Sequence, residues 1–293
     1  MRILLALIIS SLFVNAQQSN DLTEVESILV RLGQDCLRLK TEEQRLAAAD
    51  SFCLIIDQNI GEQKSFTYPF SRVTNLSKLI SPDNSFRIYT WSVPLRNGSF
   101  AFYGRLVLND KKGLHVIKLI DAAAELENPE TMLLKPEQWY GAIYYDIVST
   151  KEKGETFYTL LGYRPNNSSH HEKILEPISL ENSNKFRLGA KIFNTPVING
   201  IKYKRQPYRL IFRYSPKSTA SVKYITEEKR IIMDHLAPAD VDVKDDWARY
   251  GSDFSYQALF WKDGQWQLED EIDVKGDIAP ATPQPTEQGL PKK

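Results

Sequence analysis

The chain has 293 residues, with 37 basic and 37 acidic side chains and a formal net charge of zero at pH 7. Such a balance gives no electrostatic footprint for nucleic acid or for an anionic membrane surface, so neither is expected as a partner. A hydrophobic fraction of 42% is enough for a packed core, and the length fits one large β-rich domain or two small ones.

The first residues have the features of a secretory signal peptide. Arg2 is positively charged, an apolar run covers residues 3–14, and Val14-Asn15-Ala16 offers small side chains for cleavage. The run is shorter than the about 20 residues of a transmembrane helix, and no later stretch is long and apolar enough. We therefore expect residues 1–16 to be a signal peptide, with no transmembrane segment after its cleavage and with export to the periplasm or cell surface. The alternative is a buried N-terminal helix.

Residues 17–64 are predicted to form an antiparallel pair of helices. Between residues 22 and 32, apolar side chains recur every three or four positions, as on one face of a helix. Thr41 and Gln44 have the spacing of a capping box and mark the start of the second helix, which Gly61 ends.

The two cysteines, Cys36 and Cys53, both fall in this helical region. An oxidising compartment would allow them to form one disulfide. Measured from the turn between the helices, however, the two positions are offset by roughly 10 Å at about 1.5 Å per residue. A disulfide would therefore require the first helix to end early, and two buried free thiols are the alternative.

Residues 65–276 are predicted to form a β-rich domain, because β-branched and aromatic residues dominate short runs separated by turn signals. Asn97-Gly98 and Asp263-Gly264 are the strongest hairpin signals. We expect an antiparallel meander of about a dozen strands, folded as a twisted sheet or sandwich. Residues 122–138 interrupt the strands as a loop or short helix. The fold class is therefore α+β and β-dominated.

Three groups of strands, near residues 86–121, 140–193 and 207–273, each begin with an aromatic-rich strand. The stretch SPDNSFRIYTW, residues 81–91, is similar to the turn and strand that open a propeller blade. Three groups are fewer than a propeller usually has. An incomplete propeller-like array is therefore the alternative to the twisted sheet or sandwich.

Residues 277–293 carry four of the fifteen prolines of the chain and few apolar side chains. A segment of this composition cannot bury enough apolar area to fold, so we expect a disordered tail.

The segment MDHLAPADVDVKDDWARYGSDFSY, residues 233–256, contains an Asp-His pair followed by several aspartates. A carboxylate that orients an imidazole is part of many catalytic and metal sites. Neighbouring side chains on a strand, however, point to opposite faces. We therefore expect Asp234 to accept hydrogen bonds from backbone donors where the strand leaves the sheet, and His235 to be a packed ring whose nitrogens are bonded.

Four aspartates in this segment are candidate calcium ligands: Asp240, Asp242, Asp245 and Asp246. Calcium takes about six to eight oxygen ligands, and alternating aspartates in a loop supply several of them. The run lacks the Gly and the closing Glu of an EF-hand loop, so a solvated acidic loop is the preferred interpretation and calcium the alternative. No other cofactor is predicted.

Three aromatic residues fall outside clean strand alternation and are candidates for ligand binding: Trp139, Tyr140 and Trp247. Secreted sugar-binding modules use exposed aromatic faces beside Asp and Asn, whereas most aromatics of β-rich proteins are core or cross-strand residues. We expect these three at the surface and the remaining aromatics in the core.

Nucleophilic catalysis has no recognisable motif, since G-x-S-x-G, H-E-x-x-H and a glycine-rich phosphate loop are all absent from the sequence. No catalytic residue is therefore predicted.

The succession FRIYTW, WYGAIYY, YTLLGY, RLIFRY, MDHLAP, YGSDFSY and FWKDGQW resembles a family of secreted proteins of unknown function that is common in Bacteroidota-type bacteria. The resemblance extends from the helical pair to the last hairpin, and it implies export and single-domain organisation. It implies no catalytic residues. LGYRPNN, residues 161–167, departs from the family pattern of a Trp and an Asp-Gly turn after Leu-Gly.

We expect an exported protein with a binding or structural role in the cell envelope, with an envelope protein or a glycan as its partner. The alternative is a secreted hydrolase acting on polysaccharide or peptide, with acids near residues 234–253 in its site. A hydrolase would place carboxylates in one cleft with a shifted pKa, whereas a binding module would show an aromatic surface beside satisfied acids.

Overall fold

The structure, a computed structural model, describes residues 21–165, 169–180, 186–195, 197–240 and 246–272. The predicted signal peptide and the predicted tail lie outside the described residues, as do Asp242 and Asp245 of the candidate calcium loop.

Two long helices, α1 (Leu22–Arg38) and α2 (Glu42–Asn59), confirm the predicted helical pair. The predicted capping box starts α2: Thr41 Oγ1 accepts from the backbone N–H of Gln44 at 3.2 Å, and Gln44 Oε1 accepts from that of Thr41 at 3.3 Å. These bonds satisfy two of the donors that the first turn of a helix leaves open. A short helix, α3 (Gln63–Phe66), follows.

Sixteen strands follow within the described residues, more than the dozen expected, because several consist of only two or three residues. They are β1 (Ser77–Ile80), β2 (Phe86–Pro94), β3 (Phe100–Asp110), β4 (Gly113–Ile120), β5 (Ile143–Glu152), β6 (Glu155–Pro165), β7 (His171–Leu180), β8 (Phe186–Leu188), β9 (Phe193–Asn194), β10 (Val197–Ile198), β11 (Ile201–Lys202), β12 (Leu210–Tyr214), β13 (Val222–Ile225), β14 (Arg230–Pro238), β15 (Tyr250–Lys262) and β16 (Gln265–Glu269).

Three 3-10 helices, Ala123–Glu125, Pro129–Thr131 and Pro136–Gln138, occupy the predicted interruption between β4 and β5. A fourth, Trp247–Arg249, precedes β15.

The longer strands form three sheets. The first has the order β1-β2-β3-β4, the second β12-β7-β6-β5 with β8 beside β7, and the third β13-β14-β15-β16-β9. β10 and β11 form a separate hairpin. Both predicted hairpin turns are present, and Gly98 and Gly264 take the positive φ values, 81° and 76°, that such turns require.

Two short strands depart from the expected meander. β12 falls in the third sequence group but pairs with β7 in the second sheet, with Leu210 opposite Leu175. β9 falls in the second group but pairs with β16 in the third sheet, and this pair is parallel rather than antiparallel. The chain therefore passes between the second and third sheets three times, from β8 to β9, from β9 to β12 and from β12 to β13. Each of the two short strands adds hydrogen bonds to an edge that is distant in sequence.

Three apolar cores separate four layers. The helices pack on the first sheet through side chains such as Phe52, Ile56 and Trp91. Between the first and second sheets lie Phe86, Leu106, Leu160 and Ile174. Between the second and third sheets lie Leu161, Leu175, Ile231 and Leu259. Because side chains alternate along a strand, the first and second sheets contribute to two cores each.

The β-dominated α+β class is thus confirmed, with open, largely antiparallel sheets packed in succession. Both the sandwich and the propeller-like alternative place sheets in such a succession. Among the described residues, no helix combines the length and the apolar character needed to cross a bilayer.

The cysteines are free thiols rather than a disulfide. Because α1 continues to Arg38 without ending early, the offset between Cys36 and Cys53 is kept. Cys36 is buried in the core under the helices, and this burial, together with nearby Cys53, raises the pKa of its thiol to about 12.

Candidate functional site

Trp139 and Tyr140 are core residues, so the prediction that they lie at the surface is wrong. Their exposed fractions are 0% and 6%. The Trp139 ring packs against Gly104 of β3, where the absence of a side chain leaves room for it. Its Nε1 donates to the hydroxyl of Tyr144 at 2.9 Å. A Trp in an irregular segment is therefore buried here because a distant glycine provides the space.

Tyr140 leads to a buried group of charged side chains, which we call the Glu172 cluster: Tyr140, Glu172, Arg164, Arg213 and Glu130. The Tyr140 hydroxyl donates to Glu172 at 3.0 and 3.1 Å. Arg213 Nε donates to the same carboxylate at 3.1 Å, and its Nη1 donates to Glu130 at 2.8 Å. Arg164 Nε lies 3.9 Å from Oε2 of Glu172.

Both carboxylate oxygens of Glu172 therefore have partners, although the side chain is fully buried. Burial alone would raise the pKa of Glu172, but the hydrogen bond from His170 and the charges of Arg213 and Arg164 hold it below its ordinary value. Glu172 lines neither the cleft nor the pocket described below. The arrangement is that of a structural ion-pair network.

Trp247 lies at the margin of this cluster and is half-buried. Its ring centroid is 4.7 Å from that of Tyr250, and the Arg213 guanidinium lies 5.9 Å from its ring. The structure thus connects Trp247 to Tyr140 through Arg213 but exposes only part of its ring. Its assignment as a ligand-binding residue stays a prediction.

The acidic run is described only in part. Asp240 and Asp246 are exposed at its two ends. Within the described residues, no group of three or more His, Cys, Asp or Glu side chains is placed to hold a metal ion. The calcium alternative, which depends on all four aspartates, stays a prediction.

Asp234 accepts a backbone hydrogen bond, as expected, but it lies in the middle of β14 rather than where that strand leaves the sheet. On β14 its Oδ2 accepts the backbone N–H of Ser221 at 2.6 Å, where β13 begins. Burial raises the pKa of this carboxyl, although the Ser221 bond and nearby Lys173 oppose the shift. Asp234 and His235 point away from each other, as strand geometry requires.

His235 is held by a different carboxylate, which the sequence reasoning missed. Its Nδ1 lies 2.7 Å from Oδ2 of Asp253, eighteen residues further along the chain. Its Nε2 makes no hydrogen bond to any described residue, so the expectation of two bonded nitrogens is only half met. With Nδ1–H donating to Asp253, the neutral ring presents Nε2 as an acceptor.

A bulge of three residues in β15 brings Asp253 to His235. Asp234 pairs with Tyr256 and Leu236 pairs with Ser252, so His235 alone opposes the three residues 253–255. Bulges re-aim side chains, and this one turns Phe254 outward, with a φ of 67° and an exposed fraction of 89%. An Asp-Phe-Ser triplet gives no signal of a bulge in a sequence that otherwise alternates.

Asp253 also organises this bulge from within. Its Oδ1 accepts from the backbone N–H of Ser255 at 3.0 Å and from the Ser255 hydroxyl at 2.7 Å. Partial burial would raise the pKa of Asp253, but these bonds and the one from His235 outweigh it and lower the pKa. The carboxylate is therefore ionised at neutral pH and fixes both the loop and the imidazole.

These residues line a cleft of about 400 Å³, which we call the His235 cleft. Its wall includes Asn199, His235, Asp253, Gln257, Asp270 and Glu271. The β10–β11 hairpin supplies Asn199, which tolerates the φ of 47° at its tip. A volume of this size is typical of a small-ligand site.

Two buried amide side chains on the wall of the cleft each have one atom without a hydrogen-bond partner. Asn199 is 5% exposed and accepts the backbone N–H of Leu236 at 3.0 Å, but its Nδ2 has no partner among the described residues. Gln257 is 6% exposed and donates to Asp270, but its Oε1 likewise has none. Buried polar atoms are usually bonded, so one free donor and one free acceptor on the same wall indicate a place for a ligand.

No family model matches the chain, no curated protein is similar to it, and no solved structure matches it. The resemblance to a secreted family therefore stays a prediction, and the function has to be argued from the cleft itself.

Proposed function

We propose that this protein is an exported binding protein of the cell envelope, and that the His235 cleft holds a saccharide unit of an envelope glycan. Export rests on the signal-like residues at the start of the sequence. The observation that carries the choice of ligand is the pair of unpartnered amide atoms, Asn199 Nδ2 and Gln257 Oε1, in the cleft wall.

A sugar hydroxyl satisfies both atoms, because it donates and accepts at once. Leaving a buried amide atom without a partner costs about 1–3 kcal/mol, and a ligand that supplies the partner recovers that free energy on binding. Ligands with only acceptors or only donors satisfy one of the two atoms and leave the other.

The exposed ring of Phe254 adds an apolar surface beside these polar groups. The bulge holds this residue in the left-handed region, which costs about 1–2 kcal/mol for a residue with a Cβ. Aromatic rings offer a large, rigid apolar surface. The exposed Phe254 ring beside the polar cleft therefore suits the apolar C–H face of a sugar.

The charges of the cleft favour neutral sugars over acidic ones. Asp253, Asp270 and Glu271 line it, with His235 as the basic group. Carboxylates accept hydrogen bonds from hydroxyls strongly, and they repel anionic ligands.

Isothermal calorimetry with neutral and acidic oligosaccharides tests the proposal. Neutral members are expected to bind the full chain, and Asn199→Asp is expected to abolish binding, because it replaces the free donor by an acceptor while keeping the bond to Leu236. Asn84→Asp is the matched control, since Asn84 is also an asparagine at positive φ, in an exposed turn away from the cleft. If no sugar binds, or if both variants bind equally, the proposal is wrong.

One observation favours a second function, hydrolysis of a polysaccharide or peptide. The 2.7 Å contact of His235 with Asp253 orients the imidazole as in sites of general base catalysis, with Nε2 open to the cleft. His235→Gln distinguishes the two functions. A binding protein keeps its affinity and releases no product, whereas a hydrolase loses turnover of a substrate that the unmodified protein cleaves.

A further inference from the structure

A second pocket lies beside the β10–β11 hairpin and is separate from the His235 cleft. The hairpin itself contributes Val197, Asn199 and Gly200 to the cleft. The segments that precede and follow the hairpin, Phe193–Thr195 and Tyr203–Pro207, line the second pocket together with Gln265. Its volume is about 300 Å³. We call it the Lys204–Arg205 pocket.

The charge of this pocket is opposite to that of the cleft. Lys204 and Arg205 line it, and none of its lining residues is a carboxylate. Neither cation forms an ion pair with another described residue, although the described part of the chain contains many such pairs. Two uncompensated cations in one concave site attract an anion.

A buried hydroxyl in the same wall gives independent evidence of a ligand. Thr195 is 3% exposed, and its Oγ1 has no hydrogen-bond partner among the described residues. Most buried hydroxyls in proteins are hydrogen-bonded. Thr195 is one of the residues that line the pocket. The Thr195 hydroxyl is therefore a candidate hydrogen-bond donor to a ligand in the pocket.

We propose that the Lys204–Arg205 pocket binds a tetrahedral oxyanion group, a phosphate or a sulfate. Such a group has several acceptor oxygens, which match the ammonium of Lys204, the planar guanidinium of Arg205 and the hydroxyl of Thr195 at once. The pocket also contains side-chain amides, at Gln206 and Gln265, that donate to the same oxygens. This site does not depend on the ligand of the cleft.

The test is thermal unfolding of the full chain in phosphate, in sulfate and in chloride at equal ionic strength. A ligand that binds only the folded chain raises the unfolding midpoint by mass action. Sulfate and phosphate also stabilise folded proteins generally, through exclusion from the protein surface, so the contribution of the pocket is the part of the rise that Arg205→Gln loses and Lys202→Gln keeps. Phosphate or sulfate is expected to raise the midpoint above that in chloride. An acetate series separates a tetrahedral oxyanion from a carboxylate, which is expected to bind more weakly.

Variants locate the effect. Arg205→Gln and Lys204→Gln replace exposed side chains, so folding is retained, and each is expected to weaken oxyanion binding about tenfold. Lys202→Gln is the matched control, because it removes one positive charge from the adjacent β11 but does not line the pocket. Thr195→Val removes the free hydroxyl and is expected to weaken binding without lowering the midpoint in chloride.

The proposal is overturned if phosphate and sulfate act like chloride. It is also overturned if Lys202→Gln weakens binding as much as Arg205→Gln, because the effect would then come from net charge rather than from the pocket. A stronger response to acetate than to phosphate and sulfate would likewise exclude a site for a tetrahedral group.

Discussion

The Glu172 cluster and the His235 cleft are both rich in charged side chains, but they treat their polar atoms differently. Glu172 is fully buried, and both of its oxygens are engaged by Tyr140, Arg213 and other neighbours. The cleft is open, and two buried amide atoms in its wall have no partner. A carboxylate whose hydrogen bonds are all made within the chain stabilises the fold. An amide atom without a hydrogen bond, on a residue that lines a cleft, is a candidate contact for a ligand.

The largest expected effect comes from breaking the cluster. Glu172→Gln removes a carboxylate that Arg213 and Arg164 share, and removing one partner of a buried ion pair typically costs about 3–5 kcal/mol of unfolding free energy. Urea denaturation measures this loss. Glu269→Gln is the control, since its pair with Arg230 at 3.1 Å is largely exposed, and a cost below about 1 kcal/mol is expected.

The Glu172 cluster also makes the stability of the chain depend on pH. The pKa of Glu172 in the folded chain is lowered from 4.5, so its stabilisation is complete above the unfolded value and is lost as the pH falls through the folded one. The difference in stability between the unmodified chain and Glu172→Gln should shrink at acid pH. If this difference does not change with pH, Glu172 does not contribute to the pH dependence of stability.

Lys173 sharpens the comparison, because it is buried like Glu172 but has no ion-pair partner among the described residues. Its ammonium lies 5.0 Å from the ring centroids of both Tyr145 and Tyr163. Burial lowers its pKa from 10.5 to about 8, although Asp234 opposes the shift. Between these two values the unfolded chain holds a proton that the folded chain has released, so stability rises with pH in that window.

Lys173→Met should therefore remove this rise, which amounts to roughly 3 kcal/mol at about 1.4 kcal/mol per pKa unit. At pH 7 it should stabilise the chain by about 1 kcal/mol, because the relief of a buried charge exceeds the lost cation–π contacts. Urea denaturation from pH 7 to 10 measures both effects. Equal slopes for the two proteins would show that Lys173 keeps its ordinary pKa.

A smaller effect is expected at the rim of the cleft. Phe254→Gly and Phe254→Ala both remove the exposed ring, but only glycine relieves the positive φ. The Gly variant should be about 1 kcal/mol more stable than the Ala variant, and both should lose sugar affinity. Thermal unfolding together with calorimetry gives both quantities. An Ala variant that is as stable as the Gly variant would show that the bulge relaxes.

The smallest effect is expected for the carboxylate of the cleft itself. Asp253→Asn should cost less than about 1 kcal/mol of unfolding free energy, because its contact with His235 is partly exposed. It should nevertheless weaken ligand binding, since the cleft loses a carboxylate that accepts hydrogen bonds from sugar hydroxyls. A loss as large as that of Glu172→Gln would show that the cleft, too, serves the fold.

The sequence alone determined the features that depend on neighbouring residues. Thr41 and Gln44 start a helix because their side chains reach backbone donors one turn away, and Asn97-Gly98 turns a hairpin because glycine adopts positive φ without strain. The opposite orientations of Asp234 and His235 on β14 follow from local alternation in the same way.

Only the tertiary structure decided the features that depend on distant partners. Trp139 is buried because Gly104 leaves space on another strand, and β9 and β12 join sheets outside their own sequence groups. The cleft needs the contact between His235 and Asp253, which a bulge in β15 makes across eighteen residues. No local pattern encodes such a contact, because packing of whole layers against one another selects which edges pair and which side chains meet.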